Sequence, residues 1–165
     1  MDGAAILERL RARLGSSVIE THAQHGDHTA VVDRAALPAA LTFCHDDDDL
    51  GFDVLMDLTA VDYQKYPGRE DGPRFEVVYH LYSLRGNHRV RIKVRVDEDD
   101  AMVPTAVPLW PIADWFEREV WDMFGVRFEG HPNLRRLLMY EEFVGHPLRK
   151  DYPINRRQPL IGPRI

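Results

Sequence analysis

The chain has 165 residues, 44% of them hydrophobic and 29% charged, with a formal net charge of −6. That is one domain's length in an ordinary globular composition, and no run of 18 apolar residues is present to cross a membrane. Its single cysteine, Cys44, excludes an internal disulfide, a CxxC redox pair and a cysteine-bound iron–sulfur cluster.

The first residues, MDGAAILERLRARLG, carry acidic and basic side chains where a signal peptide needs an unbroken apolar stretch. The expected location is therefore the cytoplasm, or a membrane reached only through partners. Ile6, Leu7, Leu10 and Leu14 fall at helical spacing, and Gly15 marks the stop. Two short β-type runs follow, near 17–22 and 28–33, with a turn at Gly26-Asp27. Residues 35–45 read as a second helix, with Pro38 in its first turn, where proline is tolerated. Three stronger strands come next: Asp53–Tyr63, Phe75–Leu84 and Arg89–Val96. The last alternates strictly, with Val90, Ile92, Val94 and Val96 on one face and Arg89, Arg91, Lys93 and Arg95 on the other. The basic face is expected to be solvated and paired with acidic neighbours such as Glu76 and Asp57. Arg85-Gly86-Asn87-His88 reads as a tight hairpin turn.

After Asp97-Glu98-Asp99-Asp100, the stretch VPTAVPLWP reads as an extended crossover. IADWFEREVWDMFG then reads as a helix ended by Gly125. With Trp115 at the origin of a helical wheel, Ile112, Met123, Phe116 and Val120 fall between about 60° and 140°. Glu119 lands inside that apolar stripe, so it is expected to be buried and to need a cation from Arg135 or Arg136. The fold class expected is α+β: a two-layer domain of order α-β-β-α-β-β-β with a mixed, mostly antiparallel sheet, then a helix and an extended tail. The divisions are a domain over 1–128, including the 111–124 helix, and a Pro/Arg-rich docking tail over 129–165.

The tail contrasts with the body. After Gly130 there are seven Lys/Arg against three Asp/Glu, a net of +4, so the rest of the chain carries −10. Five of the eleven prolines lie beyond His131, and no hydrophobic period holds there. It also says nearly the same thing twice: Gly130-His131-Pro132 precedes Arg135-Arg136, and Gly145-His146-Pro147 precedes Arg149-Lys150. A residue before proline is pushed to extended backbone, so each repeat is a stiff corner suited to a segment that binds in one conformation. A metal between the two histidines lacks an obvious third ligand. His22, His25 and His28 have metal-like spacing but straddle a hairpin turn, where they do not converge. Asp46 to Asp49 resembles the start of a calcium loop, yet Leu50 stands at its fifth position and a strand begins inside it. GxGxxG, Walker A and GxSxG patterns are absent. Glu117-Arg118-Glu119 with Asp122 is weak as an acid/base set, and local ion pairs are its simpler account. A chain ending at Phe128 is expected to keep its fold and to lose only its assembly with partners.

Three blocks carry a resemblance. Glu117-Arg118-Glu119-Val-Trp-Asp122-Met-Phe-Gly125, His131-Pro132-Asn133-Leu134-Arg135-Arg136, and Gly145-His146-Pro147-Leu148-Arg149-Lys150-Asp151-Tyr152-Pro153 closely resemble the 30 kDa subunit family of respiratory complex I, the C subunit of NADH-quinone oxidoreductase. The match runs without a gap from Trp110 to Pro153; the first hundred residues agree only in length and element order. The resemblance implies a scaffold subunit of a proton-translocating oxidoreductase, with no catalytic residue and no cofactor in this chain. FMN, iron–sulfur clusters and quinone would sit in partners: the 49 kDa subunit, lettered D in bacteria, and hydrophilic subunits B, I and G. It implies a peripheral position on the cytoplasmic side of a cell inner membrane. Longer members of the family continue past the Lys-Asp-Tyr-Pro block, so contacts of that extension are not carried over. A ferredoxin- or F420-dependent dehydrogenase or a membrane-bound hydrogenase could employ an equivalent subunit. In a different class, a free-standing nucleic-acid module would use the basic tail.

Overall fold

The computed structural model describes residues 1–69, 71–159 and 161. Helix α1 spans Gly3–Leu14; Asp2 caps it by accepting from the Ala4 amide, and Gly15 ends it at φ 58. Its apolar face, Ile6, Leu7 and Leu10, is buried. Strands β1 (Val18–His22) and β2 (Thr29–Val32) form the first hairpin, and α2 (Leu37–Asp46) follows with Pro38 in its first turn. Strands β3 (Val54–Asp62), β4 (Phe75–Ser83) and β5 (His88–Val96) are each nine residues long.

The five strands make one sheet of order β1-β2-β5-β4-β3. Three of its pairings are antiparallel and β2–β5 is parallel. The mixed, mostly antiparallel α+β fold expected from the sequence is what the chain adopts. Burial explains the register. Val90, Ile92, Val94 and Val96 join Ile6, Leu10, Leu41, Cys44, Leu58, Tyr79 and Val120 in one core, and a one-residue slip would turn the whole valine set outward. Cys44 is fully buried there, which pushes its thiol up to about 12 and leaves it an inert apolar side chain.

On the opposite face three of the four basic residues of β5 are paired with carboxylates, and Arg89 lies over the Tyr82 ring. Lys93 Nζ lies 2.7 Å from Glu76 Oε1, Arg95 binds Glu20 at 2.7 Å, and Arg91 binds Asp27 at 2.6 Å. Glu76 plays its expected part; Asp57 does not, because Asp27 in the β1–β2 turn takes Arg91 instead.

The stretch read as a plain extended crossover contains a short strand. β6 (Met102–Pro104) pairs in parallel with β7 (Arg127–Glu129), and α3 (Ala113–Phe124) forms the connection between them. Strands of three residues lie below the length at which alternation can be recognised. Trp110 is buried ahead of α3 and donates its indole N–H to the Phe52 carbonyl at 3.0 Å, tying the crossover to the core. Gly125 ends α3 in a left-handed conformation at φ 82.

Candidate functional site

Helix α3 has three surfaces rather than two. Ala113, Glu117, Val120 and Met123 are buried toward the sheet, Arg118 and Asp122 are buried under the tail, and Ile112, Trp115 and Glu119 remain exposed. The expectation that Glu119 is buried against Arg135 or Arg136 is therefore wrong. The wheel took the whole apolar stripe for the core face, whereas the core lies on its far side, at Val120 and Met123 and onward to Ala113 and Glu117. Glu117 and Asp122 are the carboxylates that enter the interior.

Glu117 is 0% exposed and pairs with no cation among the described residues. Its Oε2 accepts from the Thr105 hydroxyl at 2.6 Å and its Oε1 from the Ala106 amide at 2.6 Å. Burial, opposed in part by these two donors, pushes its carboxyl up to about 7. Glu117 thus ties α3 to the segment leaving β6.

Asp122 is the anchor of the tail. Arg136 Nη1 meets its Oδ1 at 2.6 Å, and the amides of Leu137, Leu138 and Met139 converge on Oδ2 at 3.0, 2.8 and 2.9 Å. Four donors around one buried carboxylate hold it below the usual aspartate range, even though burial alone would raise it. Arg136 also donates to the carbonyls of Phe143 and Gly145 at 2.7 and 3.0 Å. Arg118 returns the contact from the helix: its Nε and Nη2 donate to the carbonyls of Arg135 and Arg136. Arg135 contributes that carbonyl and no ion pair among the described residues.

The two Gly-His-Pro corners have distinct duties. Gly130 and Gly145 stand at φ 82 and φ 99 and let the chain reverse. The ring of His131 is buried; its Nδ1 accepts from the Asn133 amide, which leaves Nε2–H to face the Asp114 carbonyl at 3.2 Å and its carboxylate at 3.1 Å. Pro132 is exposed, Pro147 half-buried. His146 Nδ1–H donates to the Asp122 carbonyl at 3.0 Å. A β-carbon on Gly125 would lie 2.7 Å from the His146 ring, so only glycine admits this corner. Burial and the nearby Arg136 and Arg149 lower the His146 pKa, leaving a neutral ring.

The last block is fastened to the sheet. Arg74 grips Asp62 through Nε and Nη2 at 3.1 and 2.8 Å, and reaches Asp151 with Nη2 at 2.8 Å and Glu98 with Nη1 at 2.7 Å. The Lys150 amide donates to Asp62 at 2.8 Å, and Arg149 pairs with Glu98. Arg149 thus serves this chain's own Glu98, whereas Lys150 contributes its backbone amide and keeps its side chain exposed. These contacts hold Asp62 and Asp151 below the usual aspartate range. Tyr152 stacks on Phe143 at 6.0 Å and receives a hydrogen bond from Gln158. Sequence reasoning missed Asp62, Arg74, Glu98 and Thr105. The signal available was Asp62 itself, a charge closing a mostly apolar strand that also carries Asp57.

The fold and this geometry define a class of protein. Among the described residues Glu117, Arg118, Asp122, Arg136, His146 and Arg149 bind other side chains or the backbone of this chain, and no group of three or more His, Cys, Asp or Glu is placed to hold a metal. The chain forms a domain whose tail is locked across one helix. A family model described as "Respiratory-chain NADH dehydrogenase, 30 Kd subunit" matches residues 30–158. The chain belongs to that family. It is 44% identical over 148 residues to the NADH-quinone oxidoreductase C subunit of Acidithiobacillus ferrooxidans, covering 89% of this chain and 73% of the relative. It is 45% identical over 158 residues to the protein of the same name from a Roseiflexus species, covering 96% and 88%. Among solved structures, "Nqo5 of the trypsin-resistant fragment (1-134)" superposes with a TM-score of 0.71 at 34% identity, covering 81% of this chain and all of that one. A chain of the membrane-bound sulfane sulfur reductase, an archaeal respiratory membrane complex, superposes at 0.74 with 25% identity, covering 94% and 88%.

Proposed function

We propose that the chain is a non-redox scaffold subunit in the peripheral arm of a proton-translocating NADH:quinone oxidoreductase. Electrons would pass from NADH through FMN and iron–sulfur centres in partner subunits to quinone, and this chain would brace the arm they cross. The observation that carries the reading is the lock between α3 and the tail: Asp122 with its four donors, and Arg118 on the carbonyls of Arg135 and Arg136, lie within the stretch that the family model matches. The proposed partners are the 49 kDa subunit, lettered D, and the neighbouring hydrophilic subunits B, I and G. No described helix is long and apolar enough to cross a membrane. Attachment to the cytoplasmic side of a cell inner membrane would run through those partners.

The equivalent subunit of a ferredoxin- or F420-dependent dehydrogenase or a membrane-bound hydrogenase is the neighbouring reading. It draws on the archaeal reductase chain, but at 25% identity against 44–45% for the NADH-quinone oxidoreductase relatives. A nucleic-acid module is disfavoured because Arg136 and Arg149 in the basic tail are spent on Asp122 and Glu98. Affinity purification of the tagged full chain from detergent-solubilised membranes tests the proposal. It should bring down NADH:quinone reductase activity together with flavin and iron–sulfur absorbance. Recovery of the chain alone, or with a hydrogenase, would overturn it.

A further inference from the structure

Positions 112, 115, 119 and 122 succeed one another along a single line of the α3 surface, spaced by three and four residues. The tail covers only the last of them, where the amides of Leu137, Leu138 and Met139 close over Asp122. The other three stay open. Ile112 is 47% and Trp115 53% exposed, and Leu138, at the covered end, is 56% exposed. Glu119 is exposed and makes no hydrogen bond or ion pair among the described residues.

Trp115 is held from one side. The Arg118 guanidinium lies 5.1 Å from its ring centroid, while Arg118 Nε and Nη2 are fastened to the tail carbonyls. The indole therefore rests on a fixed base and presents the rest of its surface outward. A tryptophan set in advance within an apolar line has the composition of an interface centre rather than of a solvated face. Glu119 specifies what must arrive. Covering the line removes water from its carboxylate, and a carboxylate so covered needs a cation. Arg118 and Arg136 are already committed to Arg135, Asp122, Phe143 and Gly145.

We infer that Ile112, Trp115 and Glu119, with Leu138 at the end of the line, form the docking surface for a neighbouring protein subunit that sets an arginine or lysine against Glu119 among apolar side chains. The inference rests on the reading of the chain as a subunit of a respiratory complex and deepens it by stating the partner's chemistry. The mode is a helix face laid against an apolar groove with one fixed charge pair. The charge pair sets register, and the indole supplies most of the buried area.

The test uses the full tagged chain expressed in place of the native copy, purified from solubilised membranes, with each co-purified subunit quantified. Trp115→Glu and Glu119→Arg should each lower partner recovery about tenfold or more. Trp115→Ala and Glu119→Gln should lower it by less. The purified variants should melt close to the wild-type chain, since the altered side chains are more than half exposed or make no internal bond. Recovery of partners at wild-type levels by both Trp115→Glu and Glu119→Arg would overturn the docking surface while leaving the subunit reading intact. A wild-type chain that brings down no respiratory subunit would overturn both.

Discussion

Two carboxylates three residues apart on α3 meet opposite fates, and the difference is measurable. Asp122 is fully buried, with an arginine and three amides directed at it. Asp122→Ala strands the Arg136 guanidinium and three amides together, and should cost about 3–5 kcal/mol, read as a shift of the urea midpoint of the full chain. Glu119 is exposed and makes no internal bond among the described residues. Glu119→Gln should change the stability of the isolated chain by less than about 0.5 kcal/mol, by the same measurement. A large loss at Glu119 and a small one at Asp122 would mean that the helical wheel places the buried charge correctly after all. Periodicity counts apolar residues without distinguishing those that face the core from those that face another molecule. It therefore widens the core face of α3 to take in Trp115 and Ile112, and carries Glu119 inside with them.

Among the elements, legibility followed length and pattern. The nine-residue strands and α1 were readable because alternation and helical spacing repeat several times along them. The β6–β7 pair was not, because three residues carry no period and their pairing spans the whole of α3. The tail was readable as rigid, from its two Gly-His-Pro corners, but not as folded back. Its burial depends on long-range polar partners: Asp62 and Arg74 lie some 77 to 88 residues before the Lys150 and Asp151 groups that meet them. These contacts argue against the expectation that a chain ending at Phe128 loses only its assembly. Such a chain retains Asp122 without Arg136 or the three amides, and Arg74 without Asp151. It should unfold several kcal/mol more easily in urea than the full chain, and should expose apolar surface on heating. A truncated chain as stable as the full one would mean that these tail contacts contribute nothing to the body's stability.

For the whole molecule, the buried carboxylates pull stability in opposite directions with pH. Asp62, Glu76 and Asp122 are held below their ordinary values by arginines, a lysine and backbone amides against their burial, and the exposed Asp151 is held low chiefly by Arg74. Their contribution is complete above the ordinary carboxylate range and is lost as pH falls through their depressed values. Glu117 does the reverse. Its carboxyl is raised from 4.5 to about 7, so between those pH values the folded chain holds a proton that the unfolded chain has released. Unfolding free energy from this group therefore falls as pH rises, by about 3 kcal/mol across the window. The two trends together give a maximum of stability at mildly acidic pH, near the lower end of the Glu117 window. Glu117→Gln isolates the alkaline limb. A glutamine there can still accept from the Ala106 amide and has no proton to lose, so it should remove the decline between about pH 5 and pH 8 while keeping the loss in acid. Urea unfolding of both chains at those two pH values measures it. Parallel declines in the two chains would mean that Glu117 is already ionised throughout, with Thr105 and Ala106 sufficient to hold its charge.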